Sequence, residues 1–210
     1  MKKNAQGLTL VELMVTLAVL ALLAAIAVPS YQNVVRSNRL TTGTNTLSRD
    51  ISLARSEALK RSANVTICAS VNPTVAVPNC GAANANVWNT GWIVFLDINR
   101  NAAIDAGTDV LIRAQGPLPP GITIRSGTFS EAGRLQFRSD GTLRDTLAPL
   151  ALFSTNQGTF RVCDDLADGF QTQRARALNL NAMGRVSVAT DTGGAANVVN
   201  DVNNADIACP

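Results

Sequence analysis

Histidine is absent from the 210 residues, and aromatic side chains make up only 4% of them. Without an imidazole, Ser-His-Asp and Cys-His catalytic arrangements are excluded, as is any metal site built on His. The four cysteines, Cys68, Cys80, Cys163 and Cys209, contain no C-x-x-C spacing, which removes the usual zinc and redox patterns. No G-x-S-x-G, P-loop or G-x-G-x-x-G run occurs. Asp164, Asp165 and Asp168 cluster beside Cys163, but loop carboxylates with no partner base are ordinarily just solvated. Neither enzymatic activity nor a cofactor or metal is expected. An excess of one charge is also missing: 18 basic against 15 acidic residues give +3. That is too small to imply a nucleic-acid partner.

What the chain does have is one long apolar run near its start. Lys2 and Lys3 lead to Gly7, and Leu8 to Val28 is then 21 residues in which Glu12 is the only charge. Pro29 closes the run. About 20 apolar residues span the hydrocarbon core of a bilayer as a helix. An ionisable group inside such a segment is costly and marks a candidate functional residue. Glu12 near a helix end can also snorkel to the headgroups, and this does not exclude a second role. Arg36 and Arg39 follow the run, so positive charge flanks it on both sides and does not fix its orientation.

A short basic leader ending in Gly, then an apolar helix with Glu at its fifth position, resembles a type IV prepilin signal. The resemblance covers residues 2–29. It implies cleavage between Gly7 and Leu8 by a prepilin peptidase, methylation of the new Leu8 amine, and Pro29 as residue 22 of the cut chain. Leu8 departs from the Phe usual at that position. Removing Lys2 and Lys3 leaves 16 basic and 15 acidic residues, a net of +1. A secretory signal peptide cut after Ala27, at Ala25-Ile26-Ala27, is the rival reading. Glu12 would interrupt its h-region, and that region would exceed the usual 7–15 residues.

Beyond Pro29 the pattern stays helical to about Arg61. Leu40, Leu47, Ile51, Ala54 and Ala58 make one apolar stripe, with Arg49, Asp50, Glu57, Lys60 and Arg61 off it. Gly43 and its threonine neighbours weaken the middle, and Pro29 is expected to kink the helix. From Asn64 the pattern changes to short β-type runs. These are 64–69, 92–96, 110–113, 122–124 and 135–137, with hairpins pairing 150–154 with 159–163 and 177–181 with 185–189. In the last hairpin Leu178, Leu180, Val186 and Val188 alternate with polar residues, so one face should be buried and the other wet. The tail 190–210 reads as irregular. The expected layout is a leader 1–7, a membrane helix 8–29, an amphipathic helix 30–62, and one β-rich domain 63–210. The fold class is α+β, a long N-terminal helix packed on an antiparallel β-sheet domain. An even cysteine count behind an export signal argues for disulfides. Three connectivities exist. Proximity favours Cys68–Cys80, which leaves Cys163–Cys209 to hold the tail.

This layout is similar to the pilin architecture, and within it to the GspH/FimT group of minor pilins and pseudopilins. The residues that carry the likeness are Leu53-Ala54-Arg55-Ser56-Glu57-Ala58 with Arg61, Asn64-Val65-Thr66-Ile67-Cys68, and Gly91-Trp92-Ile93-Val94-Phe95-Leu96-Asp97 with Asn99. Phe137 before Asp140-Gly141, and Arg176 ahead of Gly184-Arg185, add to it. The resemblance implies a minor subunit of a type IV pilus-like fibre, or alternatively pseudopilin H of a type II secretion system. It further implies partners in other pilins through the N-terminal helix, in the prepilin peptidase, in an inner-membrane assembly platform and in the lipid bilayer. The location implied is the inner membrane with the domain in the periplasm. Some group members bind DNA through Gly-Arg-x-Arg. Here Gly184-Arg185-Val186-Ser187 lacks the second Arg, so Arg174, Arg176 and Arg185 offer few phosphate contacts. Finally, Asp97-Ile98-Asn99-Arg100-Asn101 with Asp105 and Asp109 resembles calcium-loop spacing. Ala102 and Thr108 stand where an EF-hand has Gly and Glu, and a structural turn is the reading taken.

Overall fold

The computed structural model describes residues 9–82, 88–127, 129, 131, 133–144, 156–164, 175–190, 199–200 and 206–207. The chain divides into two compact units, Met1–Asn38 and Arg39–Pro210. A single helix, α1 (Leu10–Arg61), supplies the described part of the first unit and enters the second. The strands follow as β1 (Val65–Ala69), β2 (Trp92–Leu96), β3 (Val110–Gln115), β4 (Ile122–Gly127) and β5 (Arg134–Phe137). They continue as β6 (Gly158–Asp164), β7 (Ala175–Leu180), β8 (Val186–Thr190), β9 (Val199–Asn200) and β10 (Asp206–Ile207).

In the first unit α1 begins on a side-chain cap. The Glu12 amide donates to Thr9 Oγ1 at 3.3 Å, which satisfies one of the orphan donors at a helix start. Pro29 lies inside the helix, and the helical assignment runs through it without a break.

In the second unit the helix obeys its stripe. Leu40, Leu47, Ile51, Ala54 and Ala58 are all buried in the main core. Gly43 and Thr44 are buried too. Thr44 returns its hydroxyl to the Leu40 carbonyl at 2.8 Å, so burial leaves no unpaired donor there. One residue departs from expectation. Asp50, off the apolar stripe, is nonetheless fully buried. Its Oδ2 accepts from Trp92 Nε1 at 3.0 Å, and Arg113 Nε stands 2.8 Å from its Oδ1. The partners come from β2 and β3, which helix periodicity cannot anticipate.

The α+β layout expected from sequence is present, and its antiparallel β domain contains two four-stranded sheets. One has the order β3-β2-β1-β5 and the other β4-β6-β7-β8. The first is covered on both faces. Val65, Ile67 and Ala69 of β1 join the helix-facing core, while Cys68 packs with Ile93 and Phe95 in a separate cluster on the opposite face. That explains why every residue of β1 and all but the last of β2 are buried instead of alternating with exposed ones. Cys80 and Ile104, from two surface loops, pack against this second cluster. The second sheet turns Ile122, Ile124, Phe160, Val162, Leu178 and Leu180 to the main core.

The hairpin expected between 177–181 and 185–189 is present as β7 and β8, paired from Leu180↔Val186 to Arg176↔Thr190. Its alternation holds only in part. Leu178 and Leu180 are buried, but Val188 is 44% exposed. β8 is the outermost strand of its sheet, and the core runs out at that position. The expected partner of 159–163, residues 150–154, lies outside the described residues, and β6 has both edges occupied, by β4 and β7. In the tail β9 pairs with β10 over two residues, where only irregular chain was expected.

Candidate functional site: the N-terminal segment and the domain surfaces

The first unit owes its character to what it exposes. Leu10, Val11, Leu13, Met14 and Val15 are each more than half exposed, and the same holds for most large apolar residues as far as Val34. Apolar residues occur on every side of this stretch, and such a helix requires an apolar environment all round. Its length and composition suffice to cross a membrane. Glu12, the only acidic residue of the first turn, is exposed among these residues. Its place is set by the Thr9 cap, which makes it the third residue of the helix. The Thr9-x-x-Glu12 spacing is a capping-box pattern legible in the sequence, and its meaning was missed there. Gly7 and Leu8, the expected cleavage junction, lie outside the described residues. Pro29 is exposed within α1.

In the second unit Cys68 and Cys80 form a disulfide with Cα atoms 5.6 Å apart, closing a loop of sequence separation 12. Cys163 is buried in β6 and is also disulfide-bonded. Cys209 lies outside the described residues, as does Arg174. Arg176 and Arg185 are not brought together. Arg176 pairs with Thr190 near one end of the hairpin, and Arg185 sits beyond the other end, opposite Asn181. Five strand residues at about 3.3 Å each separate them by roughly 17 Å. Arg185 instead borders an open groove of about 500 Å³, which it shares with Ser52, Arg55 and Ser56 of α1. The Arg55 guanidinium there is committed to the Gly141 carbonyl at 3.1 Å.

A different basic pair escaped the sequence reading. Arg125 and Arg161 face each other across β4 and β6. Burial pushes the Arg161 guanidinium down from its ordinary value, and the charge of Arg125 adds to the effect. Strand register makes this pair, and register is not legible before the sheet order is known. Elsewhere the carboxylates are tied to neighbours. The Arg61 guanidinium beside Glu57, 2.6 Å away, holds its carboxyl below the usual range. The Thr142 hydroxyl does the same for Asp140.

The family model for "Type II transport protein GspH" matches residues 43–184, most of the second unit. The chain belongs to the GspH family. A second model, the prokaryotic N-terminal methylation motif, matches residues 2–28 of this GspH-family protein. Membership makes it a GspH/FimT-type minor pilin or pseudopilin, a structural subunit that assembles with other pilins or pseudopilins. The apolar start of α1 fits a membrane-anchored pilin. Two crystal structures of the type IV minor pilin FimU of Pseudomonas aeruginosa strain PAO1 are similar to it. One is 19% identical, covering 72% of this chain and 89% of that one, with a TM-score of 0.48. The other is 18% identical, covering 70% and 90%, with a TM-score of 0.45. No curated protein is significantly similar to the chain.

Proposed function

We propose that this GspH-family protein is a minor pilin that helps to initiate or cap a type IV pilus-like fibre. It would be cut between Gly7 and Leu8 by a prepilin peptidase and methylated on Leu8. An inner-membrane assembly platform would then draw it into the fibre, with the 63–210 domain on the periplasmic side. One observation carries the reading: a helix whose first half is apolar on every side and exposed, with a single carboxylate in its first turn.

The mechanism follows from charge in an apolar medium. After cleavage the Leu8 amine is cationic, and the Glu12 carboxylate of the same or an adjacent subunit is the only acid within reach along the apolar run. A lone charge in low dielectric is expensive, and pairing offsets part of that cost. Apolar contacts are non-directional, so they hold helices together without fixing their axial offset. The ion pair would fix that offset.

The test combines two measurements. The intact mass and N-terminal residue of the purified protein should show a chain starting at a methylated Leu8. Glu12→Ala should leave membrane insertion intact and deplete the protein from sheared fibres. Wild-type incorporation of Glu12→Ala would refute the register mechanism, and any other mature N-terminus would refute the assignment. A second reading, pseudopilin H of a type II secretion system, rests on the matching family's being one of type II transport proteins. Deletion separates the two: loss of surface pili supports the first, and loss of protein export across the outer membrane supports the second.

A further inference from the structure

We propose that the loop joining β2 to β3 is a Ca²⁺-binding site, with Asp97, Asn99, Asn101 and Asp105 supplying side-chain oxygens. The deciding observation is the carboxylate of Asp97. It is 1% exposed, and its Oδ1 has no hydrogen-bond partner among the described residues. Its other oxygen is fully used. Oδ2 accepts from Thr66 Oγ1 at 2.9 Å, from Gln136 Nε2, and from the backbone amide of Ala102 at 2.9 Å. Since Ala102 lies inside the loop, the bond to its amide turns the carboxylate into the loop. A buried, unpaired carboxylate oxygen is costly unless a cation or a donor satisfies it.

The loop around it has the form such a cation requires. Counting Asp97 as the first position, Asn99, Asn101 and Asp105 are the third, fifth and ninth, which are the side-chain ligand positions of an EF-hand loop. The sixth position of that loop is ordinarily a glycine, and here it is Ala102, which adopts φ +58°. The substitution of Ala for Gly therefore has not abolished the left-handed turn. Asn99 Nδ2 and Asn101 Nδ2 both converge on Asp105 Oδ2, at 2.7 and 2.6 Å. Three polar side chains thus meet at one point. Each Asn oxygen accepts at most a backbone amide, Asn101 for Asn99 and Ala103 for Asn101, and retains a second lone pair.

The donor set also sets the identity and the strength. All donors are oxygens, which suits a hard cation; the set has two carboxylates and two amides, and the described residues hold no cluster of three acidic, His or Cys ligands for any metal ion. The bidentate Glu at position twelve is missing, because Thr108 stands there. Asp109, one residue on, is occupied by the amides of Ile98 and Asp105. Three guanidiniums bear on the loop as well. Arg100 belongs to it, Arg134 donates to the Ala102 carbonyl and Arg144 to the Arg100 carbonyl. Few carboxylates and nearby cations place the affinity in the weak class of extracellular modules, with Kd about 10⁻⁴–10⁻³ M.

The full chain in non-ionic detergent, stripped with a chelator, would be titrated calorimetrically with CaCl₂ and in parallel with MgCl₂. One saturable Ca²⁺ site is expected, with Mg²⁺ binding weaker. Asp105→Ala should weaken Ca²⁺ binding at least about tenfold, and retained burial of Trp88 and Trp92, read by fluorescence in chelator, would show that the variant is folded. Asn101→Ala, on the exposed rim, gives a second variant should Asp105→Ala fail to fold. No saturable Ca²⁺ heat, equal heats from the two ions, or unchanged Ca²⁺ affinity in the folded variant would each overturn the assignment.

Discussion

Replacing Asp50 by Ala should be among the most damaging single changes on the domain part of α1. Its carboxylate is fully buried, and it accepts from Trp92 Nε1 at 3.0 Å. Arg113 Nε lies 2.8 Å away, yet that N–H has no aligned acceptor, so the contact is electrostatic and not a formed hydrogen bond. Arg49 is also within 3.3 Å, but its side chain is 59% exposed and adds little. Deleting one partner of a buried pair costs roughly 3–5 kcal/mol because the other group is left unsatisfied. Arg113 is 36% exposed and recovers some hydration, which brings the expected loss to about 3 kcal/mol. For a chain of this size that is a fall of roughly 6–12 °C in melting temperature. The chain has two tryptophans, Trp88 and Trp92, and both are fully buried, so intrinsic fluorescence reports domain unfolding directly. Asp50→Asn keeps an acceptor for Trp92 and should lose about half as much. A melting temperature within about 1 °C of wild type for Asp50→Ala would refute the reasoning. Equal losses for Ala and Asn would show that the charge, and not the Trp92 bond, is what matters.

Two further outcomes use the same fluorescence melt. Gly43→Ala should stabilise the domain by about 0.5–1 kcal/mol, since a helix-interior glycine costs that much and the added Cβ meets Ile122 Cγ2 at an ordinary 3.5 Å. Gly91→Ala should instead destabilise severely, because φ is +122° and the Cβ would fall 2.4 Å from the Gln115 carbonyl oxygen; equal effects at the two sites would contradict the packing described. On acidification the melting temperature should hold between pH 8 and 5, the chain having no His to titrate there. It should fall as the pH drops below the ordinary carboxylate values, 4.5 for Glu57 and 3.8 for Asp105 and Asp140. Hydrogen bonds from Arg61, from Asn99 and from Thr142 hold these three below those values in the folded state. The unfolded chain then binds protons first, so stability present above the ordinary values is lost on the way down to the folded ones. A midpoint of loss between pH 6 and 5 would contradict this.

The sequence revealed whatever depends on neighbours along the chain. The helical stripe from Leu40 to Ala58, the strand Trp92–Leu96 and the β7–β8 hairpin all follow from local periodicity and turn residues. What depends on distant pairing stayed hidden. Asp50 looks like a surface acid until β2 and β3 bring Trp92 and Arg113 to it, although its place three residues after Leu47 and four before Ala54 put it beside the stripe. Arg125 and Arg161 are 36 positions apart and meet only through register. The division into two sheets was equally out of reach, since β4 and β5 are adjacent in sequence but enter different sheets. Asp97 shows the limit most sharply. Its spacing to Asn99, Asn101 and Asp105 is plain, but a turn and an ion site share that spacing, and only the burial of Oδ1 separates them.

The two halves of α1 place opposite demands on their surroundings, and that contrast is the physical basis for the assembly role. From Leu40 onward one face is apolar, and one face is buried. Such a helix is satisfied by packing one face, here against residues of both sheets. From Leu10 to Val28 apolar side chains point in every direction and all are exposed. No single partner surface can cover them, because one packed neighbour shields only one side of a helix. Only a continuous apolar medium or a ring of similar helices meets the requirement, and a bilayer followed by a helical bundle offers the two in turn. Transfer between these media is nearly neutral for apolar side chains, since lipid tails and leucine are equally apolar. Glu12 breaks that neutrality. On the proposed mechanism, a carboxylate costly in lipid and less so beside a cationic amine would make Glu12 the residue in this stretch that favours the assembled state over the membrane-resident one.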